Sequence, residues 1–390
     1  MGHEVHGLLM APQPAKPWRG VKVHTYWPKR GSTPQIHPWL MDAESKTLRG
    51  EAVLHWALAA RQQGLMPDVV IAHPSWGESL FIKHVWPETR LGLFYEMFYQ
   101  AQGQDVHFDP EFTRPEPSVA SRLLMKNAIS LIQHDAADAA LSPTHWQADT
   151  YPAHMRERIT VVHDGIDTEA IQPHSSACLR LPDGRTWTRN DEVITFVSRN
   201  LEPYRGYHVF MRALPLWLRE RPNAQVLLVG GNGVSYGSKP PGNDTWQAVF
   251  AREVRDQLAP AEWQRVHFLG RLPYDAFLTL LQISRLHVYL TYPFVLSWSL
   301  LEAMASGCTV MASDTAPVRE VVQDGVHGVL LPFFDVHAWA QAILALLDQP
   351  DKQAALGAAA RAHVGANYDL KDRKSTRLNS SHSQQSRMPS

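Results

Sequence analysis

At 390 residues, with 37 Lys and Arg against 38 Asp and Glu, the chain is long enough for two domains with separate cores and has no excess charge to draw it to nucleic acid. No apolar run approaches the roughly 20 residues of a membrane span, so no transmembrane helix is predicted. Cys178 and Cys308 make no disulfide framework, and Gly2-His3-Glu4 with His6 supplies neither the basic nor the long apolar region of a secretion signal, which points to the reducing cytoplasm.

In chain order, residues 5–10 and 21–26 read as strands, separated by Pro12, Pro14 and Pro17. A helix is predicted over 42–64, with Leu48, Val53, Trp56, Leu58 and Ala60 on its apolar side. A strand over 68–72 ends in the polar and aromatic run His73-Pro74-Ser75-Trp76-Gly77-Glu78, and a strand over 91–95 is followed directly by Glu96. Residues 103–117, with Asp105, Asp109, Pro110, Pro115 and Pro117, read as an irregular crossing. A helix over 118–134 and strands over 139–142 and 159–163, flanking Trp146, complete a first domain, 1–167. Residues 168–191, rich in Pro, Ser and polar groups, read as an interdomain linker. The second domain, 192–366, alternates more cleanly, with strands over 193–197, 225–229, 266–269, 286–290, 308–312 and 328–331, helices between them, and two closing helices over 336–347 and 352–362. Strands alternating with helices predict an α/β protein with parallel, doubly wound sheets. The Ser-rich tail over 371–390 has no apolar periodicity and is expected to be disordered and foreign to the fold.

Three stretches carry candidate chemistry. The first is Tyr292 to Gly307, which leads from an apolar strand through a loop broken by Pro293 into a short helix, from Ser297 to Ser306, with Gly307 as its stop. In open α/β sheets ligands bind at such strand ends, and the amino end of the helix suits a phosphate. Glu302, inside that helix, can accept hydrogen bonds from ribose hydroxyls; taken alone, the stretch reads rather as an ordinary core helix whose acid supports its dipole. The second is Val197 to Gly206, in which Arg199 follows a strand and Arg205 precedes Gly206 and a helix. Two guanidinium groups at a sheet edge suit a diphosphate through charge-assisted bonds, although a solvated basic loop has the same composition. The third is His73, Trp76, Glu78 and Glu96 at adjacent strand ends, a cluster of aromatic and acidic side chains that such loops also carry as plain packing. The glycines of Val229 to Gly237 miss a dinucleotide fingerprint, because Tyr236 stands at the third glycine position and Pro240 and Pro241 prevent an immediate helix. Twenty histidines include no metal-binding spacing, so no metal and no bound cofactor are expected.

The run Glu302-Ala303-Met304-Ala305-Ser306-Gly307 resembles the signature of retaining glycosyltransferases of family 4, which pair two Rossmann-like domains facing a cleft, the GT-B arrangement. The family's first signature Glu falls on Phe294, and two glycines usual in its loop fall on Val295 and Ser297. Arg199 matches a family Arg, and Arg205 takes the place of a family Lys; both hold the donor diphosphate there. Phe268 to Pro273 resembles a segment whose backbone contacts the base, and His163-Asp164-Gly165-Ile166-Asp167 resembles the family's hinge entry. The resemblance implies catalytic roles for Arg199, Arg205 and Glu302, and donor contacts at Gly206, Gly231, Leu269, Ser297, Trp298 and Ser299. On such a fold His73, Trp76, Glu78 and Glu96 are the acceptor-side candidates; no motif places the histidine that the family often has near the reacting centre, for which His73 and His134 are the two candidates. The resemblance further implies a nucleotide-sugar donor without a catalytic metal, a glycan or lipid-linked acceptor, and room for a peripheral contact with the inner membrane face. Gly2 to Val5 resembles what precedes the second strand in family members, so an opening strand and a closing helix are expected to be missing, and the tail resembles translated cloning-adaptor sequence. A nucleotide-sugar-binding protein without transfer activity, and a sugar-nucleotide epimerase on the same fold, are the alternatives.

Overall fold

The structure, a computed structural model, describes residues 2–114 and 116–371; the tail expected to be disordered lies outside them, apart from Lys371. The chain divides into two compact units, the first built from residues up to 102 and from 116 to 163, the second from 103–114 and from 164 onward.

In the first unit, β1 (His6–Met10) and β2 (Lys22–Tyr26) form a parallel pair, and β3 (Val69–Ala72), β4 (Arg90–Phe94), β5 (Ala139–Ser142) and β6 (Ile159–Val161) form a second parallel sheet in that order. Parallel strands covered on both faces read as apolar runs, and β4 does so, with Leu91 and Leu93 almost wholly buried beside Tyr95, Ala140, Met155 and Ile159. The long helix Met41–Gln62 buries Val53 and Ala57 against Tyr26, Ile82, Val85 and Trp86. Its Gly50 faces Gly77, whose φ of +92° suits glycine and where a Cβ would lie 2.3 Å from the Lys46 carbonyl oxygen. That close approach seats the His73-to-Glu78 loop on the helix.

The second unit holds β9 (Val193–Asn200), β10 (Gln225–Gly231), β11 (Val266–Gly270), β12 (Leu286–Tyr289), β13 (Thr309–Ser313) and β14 (Val329–Leu331), all parallel, in the order β11-β10-β9-β12-β13-β14. This is the doubly wound order, in which the winding direction reverses between β9 and β12. The closing helices are Val336–Leu347 and Pro350–Asn367. Among the described residues no helix is long and apolar enough to cross a membrane.

Two stretches depart from the sequence reading. Residues 168–191, expected as a linker, contain an antiparallel hairpin of β7 (Cys178–Arg180) and β8 (Thr186–Thr188). Leu179 and Trp187 are buried with Val193, Leu227, Leu280 and Ile283, so the hairpin is part of the second core. Its strands are too short for their alternation to stand out in a polar run. Residues 103–114, expected within the first domain, belong to the second unit.

Candidate active site

Strand order places the site. The loops leaving β9 and β12 start side by side where the sheet reverses, and an open α/β sheet takes its ligand in the crevice there. The β9 loop runs through a short 3-10 turn, Pro203–Arg205, to Gly206 at φ +66°, which starts the helix Tyr207–Trp217. The β12 loop runs from Leu290 to Ser297, whose Oγ accepts from the amide of Ser299 and caps the helix Trp298–Ala305.

Arg205 joins the two loops. It is buried; its Nη1 donates to Thr291 Oγ1 at 2.7 Å and to the Val295 carbonyl at 3.1 Å. Its guanidinium carbon lies 5.3 Å from the ring centre of Tyr236 and 5.9 Å from that of Phe294, within cation–π range. Phe294, standing where the family pattern has a carboxylate, packs at 4.8 Å on Tyr236 and edge-on at 5.6 Å to Tyr204. Among the described residues no carboxylate pairs with Arg205. Neutral dipoles and ring faces lower the cost of burying the guanidinium without cancelling its charge, so the site is prepared for an anion.

The remaining predicted donor residues fall into different roles. Arg199, exposed near the end of β9, makes no hydrogen bond or ion pair with any described residue. Glu302 is buried, and its Oε1 accepts from the Tyr274 hydroxyl at 2.7 Å. Ser297 donates its amide to the Tyr289 hydroxyl at 2.8 Å, and its Oγ lies 2.9 Å from Ser299 Oγ; Trp298 opens the helix. Leu269 packs on the core beside Leu227 and Val229, so its side chain belongs to the core. At Gly231 a Cβ would lie 2.7 Å from Asn200 Oδ1 and 2.8 Å from Arg271 Nε, which is why glycine stands there.

Asn200 and Glu202 were not singled out in the sequence, and they shape the glycine loop. Asn200 Oδ1 accepts from the Gly233 amide at 3.2 Å, and its Nδ2 donates to Ser235 Oγ at 2.6 Å. The buried Glu202 carboxylate takes the Ser235 amide on both oxygens at 3.1 Å and the Tyr236 amide at 3.4 Å. Together they set Tyr236 against Arg205. The available signal was their position on the Arg199-to-Arg205 stretch, one strand from a glycine-rich loop.

In the first unit the four acceptor-side candidates share one network. The His73 and Trp76 rings stack at 4.9 Å, and His73 Nε2 lies 3.2 Å from Glu96 Oε2. Glu78 accepts from the Tyr26 hydroxyl at 2.5 Å, and Arg49 lies 3.6 Å from the same carboxylate while reaching the Trp76 carbonyl at 3.4 Å. Burial, with Glu78 adjoining, raises the Tyr26 phenol well above its ordinary value, so it stays a donor. His134 is buried beside the Tyr95 hydroxyl at 3.1 Å, and burial lowers its pKa.

Comparison with known proteins bears on the family and the fold. Residues 1–171 match the family described as Glycosyl transferase family 4 group, and residues 185–363 match Glycosyl transferases group 1. The D-inositol 3-phosphate glycosyltransferase of Thermobispora bispora is 28% identical over 295 residues, covering 72% of this chain and 65% of the relative. The enzyme of the same name from Nocardia farcinica is 28% identical over 255 residues, covering 64% of this chain and 52% of the relative. The chain thus spans between about half and two thirds of the length of these curated relatives. Sucrose-phosphate synthase from Thermosynechococcus elongatus shares the fold with a TM-score of 0.67 at 17% identity, over 94% of this chain and 86% of that one. Anabaena HepE, solved in complex with UDP and glucose, gives 0.62 at 15% identity, over 94% and 96%.

Proposed function

This chain belongs to the family 4 glycosyltransferases, and from that premise we propose that it moves a sugar from a nucleotide-diphosphate sugar to an acceptor hydroxyl with retention of configuration, in the building of a glycan or polysaccharide. One observation carries the reading: Arg205 is buried at the sheet's reversal point with hydroxyl, carbonyl and ring partners and, among the described residues, no carboxylate. A departing diphosphate gains negative charge as the bond to the anomeric carbon breaks, and a preorganised cation stabilises that charge without reorganising. The acceptor oxygen bonds to the anomeric carbon on the face the diphosphate leaves, and the acceptor proton passes to a departing phosphate oxygen. No protein nucleophile is needed, so Phe294 in place of a carboxylate is compatible with transfer.

Arg199 is the second cation of this clamp: exposed and bonded to none of the described residues, it is available to reach a bound diphosphate. Glu302, held by Tyr274, offers its carboxylate to the ribose. The His73, Trp76, Glu78 and Glu96 network serves the acceptor, which is a glycan or a lipid-linked sugar at a membrane face. UDP is the first nucleotide to try, because it is the one bound in the HepE structures.

The test is calorimetry with UDP, GDP and ADP and their glucose esters, followed by product analysis with candidate acceptors. Arg205→Ala should weaken nucleotide binding by about tenfold to a hundredfold, the worth of a charge-assisted hydrogen bond, and Arg205→Lys should be milder. Unchanged affinity in a folded Arg205→Ala protein sinks the assignment. Binding without any glycosylated product would instead favour a nucleotide-sugar-binding protein.

A further inference from the structure

Residues 103–114 carry side chains that the proposed reaction leaves unused. The segment is irregular, yet Asp105 and Asp109 are buried, and His107 holds a left-handed backbone at φ +61°, uncommon for a non-glycine residue. Aromatic contacts dock it on the second unit. Phe108 packs within 5.0–5.2 Å of Tyr292, Phe333 and Phe334, and Phe112 lies edge-on to His208 and Trp246 at 5.2 Å. Glu111 takes both Arg212 Nη atoms at 2.7 Å.

The two aspartates grip one tyrosine from each loop of the donor site. Tyr204, one residue before Arg205, donates its hydroxyl to Asp105. Tyr292, one residue after Thr291, donates its hydroxyl to Asp109 at 2.7 Å. The two tyrosines are themselves joined, since the Tyr292 amide donates to the Tyr204 carbonyl at 3.1 Å and their rings lie 4.7 Å apart. Asp109 is also held by His208 Nε2 at 3.1 Å. Burial works to raise the Asp109 carboxyl, but the bonds from His208 and Tyr292 bring it below its ordinary value, so it stays an acceptor.

We propose that residues 103–114 are a strap that sets the diphosphate clamp: Asp105 and Asp109 hold the β9 and β12 loops, through Tyr204 and Tyr292, at the spacing at which Arg205 reaches Thr291 and Val295. Both aspartates are positioning residues, and the inference rests on the donor-site reading above. The same segment brings Asp109, Glu111 and His208 close enough to hold a cation. Tyr292 and Arg212 already donate to those carboxylates, which makes the cluster an anchoring network.

The test removes one grip and restores it. Asp105→Ala should weaken UDP binding about threefold to tenfold, the worth of an ordinary hydrogen bond, with a larger change in KM for the donor than in kcat. Asp105→Asn, whose amide oxygen still accepts from Tyr204, should recover most of the affinity. Asp105→Ala combined with Tyr204→Phe should be no worse than either alone, because both break one bond. In the free protein, hydrogen exchange should speed up at residues 203–206 and 291–297 in Asp105→Ala and in Tyr292→Phe. Unchanged exchange there, or additive losses in the double variant, overturns the strap. A wild-type chain that binds none of UDP, GDP or ADP sinks the functional reading alone; exchange then decides the strap, faster loops supporting it and unchanged loops overturning it.

Discussion

A methyl group on Gly206 would lie 2.2 Å from Leu290 Cβ, on a backbone at φ +66°. Gly206→Ala should therefore cost roughly 2–4 kcal/mol, combining left-handed strain with overpacking. Chemical denaturation followed by circular dichroism checks this, and nucleotide affinity should fall as well, because the displaced turn carries Arg205. Gly206 and Arg205 were legible in the sequence because a cation, a glycine and a helix start stood together after an apolar run. Glu202 was not, although it is buried and bonded to two amides of the glycine loop. A carboxylate gives the same local signal whether it meets water or backbone N–H groups. Arg199 and Arg205 looked equivalent in the sequence, yet one is exposed and the other enclosed by rings, a difference created by residues far along the chain.

At the scale of elements, the hairpin at 178–188 makes the sharpest claim. Trp187→Ala would empty the space of a buried indole between Leu179 and the Val193, Leu227 and Leu280 side chains, and should cost about 3–5 kcal/mol. A shift in the denaturant midpoint near zero would show that the hairpin is an ornament on a linker. Strands of the second sheet were legible to within three residues, because parallel strands buried on both faces write continuous apolar runs. The strap was legible only as irregular. Prolines and aspartates announce a break in periodicity, but its anchors, Tyr204 and Tyr292, lie 99 and 183 residues from the aspartates that hold them. No local pattern carries a contact of that span.

For the molecule as a whole, acid is the informative perturbation. His287 is wholly buried on β12, with Nδ1 2.9 Å from Thr195 Oγ1, and burial takes its pKa from 6.5 down to about 4. An unfolded His287 takes up its proton near pH 6.5, before the folded one does. Its contribution is therefore intact above pH 6.5 and is lost as pH falls toward 4, at up to about 1.4 kcal/mol per pH unit. His287→Leu leaves Thr195 bonded to Ser284 at 2.7 Å and should flatten the acid limb of a stability–pH curve by about one proton. An unchanged slope would place the acid sensitivity elsewhere. Alternation in the sequence predicted parallel, doubly wound α/β units but no strand order, because periodicity says which face is buried and nothing about which strand lies alongside. That order has a consequence for assembly. Ile194 on β9 pairs with Val226 on β10 and with Leu286 on β12. The second pairing closes a loop about three times longer, which costs about 1 kcal/mol more in chain entropy. The crevice that holds Arg205 should thus be the late seam of the sheet: half of it exists once β9 meets β10, and the proposed anion site should be complete only when the chain returns with β12.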